Sequence, residues 1–336
     1  MLQIAEQFLL QKIDLSIGPL FAAKLLRLSD RESVLLLALD HMISDGVSTG
    51  ILCTELCTIY EELSQHSVVS LPKPVLQFAD LAVWQARVRE HWLNEHEPYW
   101  KRYLLNAPRT CLPTDGANQD IPAIGSTILR VPLGAPLSAD LRAIARSART
   151  LISFVVLTIY VALMSRWLSL DELLLYMVVH RRWRPELHGM VGPIAGLTLL
   201  RIRISKEDTF LELMSRIRSE FHNSCKHQVF DVLPPGHDSV ETDLIFSWLP
   251  DSAKLQPLDH TREIRVQPFD FWTGRNGKLQ FAMSFSETSA GIVATIVYRD
   301  NRISTHTIEQ LRQSLLLFSE EFVRRPRSRI PDMPRF

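Results

Sequence analysis

A chain of 336 residues, 46% of them hydrophobic, is long enough to bury a large core as one big domain or as two smaller ones sharing an interface. Lysine plus arginine and aspartate plus glutamate number 37 each, so no net field draws the chain to nucleic acid or to an anionic membrane. Four cysteines, Cys53, Cys57, Cys111 and Cys225, are too few for a disulfide framework and have no histidine at zinc-finger spacing, so they read as buried thiols of a reducing compartment.

The opening MLQIAEQFLLQKIDLS has an acidic residue and no basic region before its short apolar run, unlike a secretory signal, and cytoplasm is the simplest location. Phe21 to Leu28 and Val34 to Leu39 are apolar runs flanking Ser29-Asp30-Arg31-Glu32, the pattern of a hairpin. After a turn at Asp40, the residues Ile51, Leu52, Leu56, Ile59 and Tyr60 recur at helical spacing, with Ser48 or Thr49 as the expected N-cap. Ser64 to Pro74 reads as a surface connection. Trp84, Val88 and Trp92 form an i, i+4, i+8 stripe expected in the core, on a helix that Pro98 should bend or end. Ala107 to Pro122 is rich in Pro, Asp, Asn and Gly, and a domain boundary is expected near Asn118.

Farther on, Ser138 is expected to cap a helix through Arg149 and Ser153 another through Trp167. The stretch Leu151 to Met164 is too short for a bilayer span and suits a core helix, so no membrane anchor is expected. Leu173 to Val179, Asp243 to Trp248, Leu279 to Glu287 and Gly291 to Tyr298 read as strands, and Thr305 to Arg324 as a closing amphipathic helix. The alternation argues for an α/β fold.

Chemistry concentrates in Asp40-His41-Met42-Ile43-Ser44-Asp45-Gly46, where an apolar strand stops and a helix has yet to begin. An imidazole there is able to take a proton from a nucleophile attacking an acyl group. Asp45 sits where a carboxylate caps helix N–H groups or pairs with arginine, and Gly46 would let the backbone turn tightly or pass close to a substrate. On this short pattern alone, a histidine bonded within its turn and an aspartate acting only as a cap are equally good readings.

Several ordered motifs together resemble the condensation domain of nonribosomal peptide synthetases. Asp14-Leu15-Ser16 with Gly18-Pro19-Leu20, the hairpin, and the histidine turn running into Val47-Ser48 resemble the stretch that ends in HHxxxDG and a serine. Phe78-Ala79-Asp80-Leu81-Ala82-Val83-Trp84 resembles YxDFAVW, and Tyr99-Trp100-Lys101 fits the tyrosine–tryptophan pair that closes that region. Arg184-Pro185-Glu186-Leu187, Val191-Gly192 and Arg201 resemble the segment around IGxFVNTxxxR, and His227-Gln228 falls where a later motif stands.

The resemblance implies a chloramphenicol acetyltransferase-like fold, two lobes in a V with a tunnel that receives phosphopantetheine arms of carrier proteins from both faces. The expected division is 1–118, a partial N-terminal lobe carrying the DHxxxDG motif, and 119–336, the C-terminal lobe. His41 would position or deprotonate an acceptor amine, Asp45 would be structural and paired with an arginine, and Gly46 would line the tunnel. The expected product is an amide. Peptidyl or acyl carrier proteins and adenylation modules are the expected partners, with no cofactor bound directly and no metal.

Three departures accompany the resemblance. Asp40 replaces the first family histidine, and Asp40, Asp45 and Ser48 also satisfy DxxxxDxxS, the signature of heterocyclization domains; FADLAVW and His41 resemble ordinary condensation domains more closely. Gly196 replaces an asparagine, and Ile194 and Ala195 a phenylalanine and a valine. Only thirteen residues precede Asp14, so the N-terminal lobe is expected to be incomplete, with a sheet edge uncovered. An ester-forming or heterocyclizing enzyme and a noncatalytic carrier-docking module are therefore open alternatives. Arg181-Arg182-Trp183-Arg184 reads as a solvated charge cluster, Cys53 and Cys57 lack further soft ligands for a metal, and His227 reads as structural.

Overall fold

The computed structural model describes residues 1–9, 11, 13–65, 68–115, 127–228, 238, 240–249 and 281–330. These form two compact units, the first comprising Met1–Arg87 and His180–Ala195, the second Val88–Val179, 196–249 and 281–330. A division at Asn118, which lies outside the described residues, would separate 180–195 from the N-terminal elements. The physical reason for the different grouping is that 180–195 supplies Leu187, Met190 and Ile194 to a small core with Leu81 and Phe78, and an arginine to the turn before the second helix.

In the first unit, helix α1 (Leu2–Leu9) precedes strands β1 (Phe21–Arg27) and β2 (Ser33–Leu39), which pair antiparallel from Phe21↔Leu39 to Arg27↔Ser33. The hairpin read from the two apolar runs is present, and Ala5 and Phe8 of α1 bury Leu36 on one of its faces. Alternation sends Phe21, Leu25 and Leu35 to the other face, where they are exposed. Helix α2 (Gly46–Ser64) follows the turn at Asp40, and α3 spans Phe78–Leu104.

Pro98 lies inside α3 and does not end it. The helix continues because its last turns are held by tertiary contacts: Trp100 and Leu104 are buried with Leu174 and Leu199, and Trp100 Nε1 donates to the His227 carbonyl at 2.8 Å. The expected stripe is displaced. Trp84 is 43% exposed, and the buried positions of the C-terminal part are His96, Trp100 and Leu104 at i, i+4, i+8.

The second unit is built on a six-stranded mixed sheet of order β3-β8-β7-β6-β4-β5, with β3 Thr127–Pro132, β4 Glu172–Val179, β5 Gly196–Arg203, β6 Ile245–Leu249, β7 Phe281–Thr288 and β8 Gly291–Tyr298. β6 runs parallel to both β4 and β7, and the other pairs are antiparallel. Helices α4 (Ala135–Ser147), α5 (Ile152–Leu168), α6 (Phe210–Lys226) and α7 (Thr305–Arg324) cover one face. Alternate residues of β4 and β5 serve the two faces: Leu173, Leu175, Leu200 and Ile202 join the helical core, whereas Leu174 and Leu199 meet Trp100. α5 is buried continuously from Val155 to Ser165, which explains its all-round apolar sequence. No single helix among the described residues is long and apolar enough to cross a membrane.

Neither expected serine cap is one. Gly134 caps α4 and Leu151 caps α5, so Ser138 and Ser153 lie inside their helices. The Ser138 hydroxyl donates to the Gly134 carbonyl at 2.6 Å and accepts from the Ile292 N–H at 2.8 Å, joining α4 to β8. That approach requires Gly291, whose φ is +119° and whose added Cβ would stand 2.6 Å from Ser138 Oγ. Nor are all the cysteines buried: Cys111 is exposed, the other three partly so, and all are free thiols.

Candidate active site

The end of β2 is followed by a turn that the side chain of Asp40 organises. Asp40 Oδ1 accepts from the Met42 N–H at 2.8 Å, and the Asp40 carbonyl accepts from Ile43 N at 3.1 Å and Ser44 Oγ at 3.1 Å. The turn presents His41 at the surface of its unit, with Nδ1 2.8 Å from the Ser44 carbonyl. A carbonyl only accepts, so Nδ1 carries the hydrogen of the neutral ring and Nε2 is left with its lone pair. That tautomer is able to accept a proton at Nε2.

Asp45, rather than Ser48 or Thr49, is the N-cap of α2. Its extended backbone (φ −130°, ψ 179°) lets the carboxylate accept from the Ser48 N–H at 2.8 Å. The same carboxylate receives both forks of Arg182, at 2.7 and 2.9 Å, and the Ile194 and Ala195 N–H groups at 3.2 and 2.9 Å. Burial acts to raise its pKa, but the hydrogen bonds from Arg182, Ser48 and Ala195 outweigh it and hold the group at about 2. Asp45 is therefore an ion at neutral pH.

Arg181 and Arg182 do not form part of a solvated charge cluster. Arg181 is buried and the Arg182 side chain is only 6% exposed, while Trp183 and Arg184 are exposed. Arg181 adopts φ +49°, a left-handed conformation just beyond β4, and the chain there turns so that the Arg182 guanidinium meets Asp45. Arg182 Nη2 also donates to the Met190 carbonyl and to Ser48 Oγ, each at 3.2 Å.

Ser48 is fully buried, and its hydroxyl lies 2.8 Å from Asp45 Oδ1, 2.9 Å from the Gly192 carbonyl and 3.0 Å from the Gly192 N–H that donates to it. Gly192 has no room for a side chain, because a Cβ would stand 2.6–2.8 Å from Phe78. The Phe78 and Gly192 segments thus pack on each other beside the turn. Gly46 differs: it is the first residue of α2, its φ is not left-handed, and its Cβ position faces open space. A tight turn does not require a glycine there, and only the close-approach reading keeps a physical basis.

In the second unit, His227 caps the end of α6 and stacks on Tyr99 with ring centroids 3.9 Å apart; its Nδ1 lies 3.2 Å from that of His96. One ring must donate and the other accept. Burial first, and then the neighbouring His96, push the His227 pKa down. Among the described residues, no group of three or more His, Cys, Asp or Glu side chains is arranged to hold a metal ion.

Arg182 as the partner of Asp45 and Ser48 as the link to Gly192 are the residues hardest to read from the chain, since each stands more than 130 positions from its partner. The signal that does exist is type and context: an arginine just after an apolar strand, and a serine three positions after a cap aspartate.

A mixed sheet with helices on one face, joined to a unit bearing a histidine turn, defines the fold class of the condensation and epimerization domains. It superposes on the X-domain from teicoplanin biosynthesis with a TM-score of 0.81 at 21% identity, covering 98% of this chain and 78% of that one. It superposes on the epimerization domain from the third module of tyrocidine synthetase B with a TM-score of 0.80 at 18% identity, covering 96% and 76%. The family model of the condensation domain matches residues 1–334, and the chain belongs to that family. It is 24% identical over 341 residues to tyrocidine synthase 3 of Brevibacillus parabrevis, an alignment that covers 97% of this chain and 5% of the synthase. With a linear gramicidin synthase from the same organism it shares 29% identity over 334 residues, covering 96% and 6%. The chain thus spans a small fraction of the length of these relatives.

Proposed function

We propose that this condensation domain forms an amide bond between a carrier-bound acyl or peptidyl thioester and an amine acceptor, with His41 as the base. The supporting observation is the Nδ1 hydrogen bond to the Ser44 carbonyl, which fixes the tautomer whose Nε2 is a proton acceptor. The amine nitrogen attacks the thioester carbonyl, its proton passes to Nε2, and the thiolate of the donor arm leaves and is protonated. Asp40 is no obstacle to this chemistry, because it organises the turn through its carboxylate and leaves the imidazole exposed.

The DxxxxDxxS pattern carries little weight for heterocyclization, since Asp40, Asp45 and Ser48 are all engaged in shaping the turn and the helix cap. Carrier proteins are the partners this reading requires, with adenylation modules loading them; the substrates arrive on phosphopantetheine arms, and no cofactor is bound by the domain itself. The test is product formation from a donor-loaded carrier with the native chain and with His41→Ala. A fall of about 10²–10⁴-fold in the variant supports the base role. Equal output from both removes it, and no product from either favours a carrier-docking module.

A further inference from the structure

We propose that Ser48 is a positioning residue that sets the tautomer and orientation of His41 through the Ser44–Asp45 peptide. The proposal rests on the reading of His41 as the base for its consequence in catalysis, but its structural half stands apart from that reading. The acceptor of His41 Nδ1 is the carbonyl of Ser44, and that carbonyl belongs to the peptide unit entering Asp45. Whatever fixes the backbone of Asp45 therefore fixes the direction of the oxygen on which the imidazole leans.

Ser48 fixes it from two sides. Its N–H and its hydroxyl both lie 2.8 Å from Asp45 Oδ1, which holds the extended cap conformation. The same hydroxyl accepts the Gly192 N–H at 3.0 Å and the Arg182 fork at 3.2 Å, and has the Gly192 carbonyl at 2.9 Å. A single hydroxyl thus joins the α2 cap, the buried arginine and the 190–195 segment. It has one hydrogen, shared between two acceptors, and its lone pairs face two donors, so it is ill suited to act as a nucleophile. Without it, a buried carboxylate and a buried peptide each lose a partner, and the cap can relax into conformations that turn the Ser44 carbonyl away from His41.

Two variants and one control test this in the full chain with ¹⁵N-labelled histidine, the His41 signals being assigned by their loss in His41→Ala. In the native chain His41 should be the Nδ1–H tautomer. Ser48→Ala should stay folded with a lowered melting temperature, show a growing share of the Nε2–H tautomer, and lose about tenfold in kcat with little change in acceptor KM. Arg182→Lys keeps the charge but loses the two-pronged hold on Asp45 together with the Nη2 bonds to Ser48 and Met190; with the cap and its serine both loosened it should shift the tautomer in the same direction, and it carries the test should Ser48→Ala not fold. Thr54→Ala, which removes a hydroxyl that donates to the Gly50 carbonyl of the same helix, should leave the tautomer unchanged. A native tautomer in folded Ser48→Ala or, if that variant unfolds, in Arg182→Lys overturns the proposal. A shifted tautomer in a chain whose native form makes no product upholds the positioning role and rejects the amide-forming reading instead.

Discussion

The Asp45–Arg182 pair places two opposite charges where water hardly reaches, with side-chain exposures of 1% and 6%. Removing one partner leaves the other charged and buried, so Arg182→Ala should cost about 3–5 kcal/mol, read as a lower denaturant midpoint. The pair also sets an acid limit. The folded-state pKa of Asp45 is depressed to about 2 from an ordinary value of 3.8, so its stabilisation is complete above about pH 4 and is lost as pH falls from there through about 2. Asp208, Glu172 and Glu309 also lose stabilisation in acid, so equilibrium unfolding between pH 5 and 2 should show a loss about 2 kcal/mol larger in the native chain than in Asp45→Asn. Elsewhere the Tyr160 hydroxyl is buried with no hydrogen-bond partner among the described residues, and its ring packs near Phe246 and Phe285. Tyr160→Phe removes an unsatisfied polar atom and keeps the ring, so it should be neutral or stabilise by about 1 kcal/mol in the same assay.

Between elements, the decisive contact of the first unit is the seat of Phe78 on Gly192. A methyl at position 192 would overlap the Cβ, Cγ and Cδ2 atoms of Phe78, and a Cβ is not a flexible end that swings aside. Gly192→Ala should therefore destabilise by about 1–3 kcal/mol, and a double-mutant cycle with Phe78→Ala should show a favourable coupling as the overlap is relieved. Elements with strong periodicity or turn chemistry are legible in the chain: the hairpin, β4, β7, β8 and α7 fall close to where apolar runs and Gly291 place them. α6 carries a different local signal, the Thr209…Glu212 capping box, in which each side chain bonds the other's backbone. α3 departs from its local signals because they compete with packing. Pro98 costs a helix one hydrogen bond, but the burial of Trp100 and Leu104 offsets it.

For the whole molecule, 37 basic and 37 acidic residues leave no net charge to keep copies apart near neutral pH. Turbidity of the isolated chain should accordingly be greatest near pH 7 and fall as pH moves to either side, a maximum that adding an acidic tag should flatten. The sequence by itself determined the α/β class, the family motifs and the position of the histidine turn, because apolar period, strand ends and cap residues are local properties of neighbouring residues. Only the tertiary structure decided that Arg182 neutralises Asp45, that Ser48 ties the cap to Gly192, and that 180–195 belongs with the N-terminal elements. Those contacts join residues more than 100 positions apart. Nothing in either segment alone encodes its partner, and the pairing emerges when the 180–195 segment packs on the N-terminal elements and brings Arg182 to a carboxylate that burial would otherwise penalise.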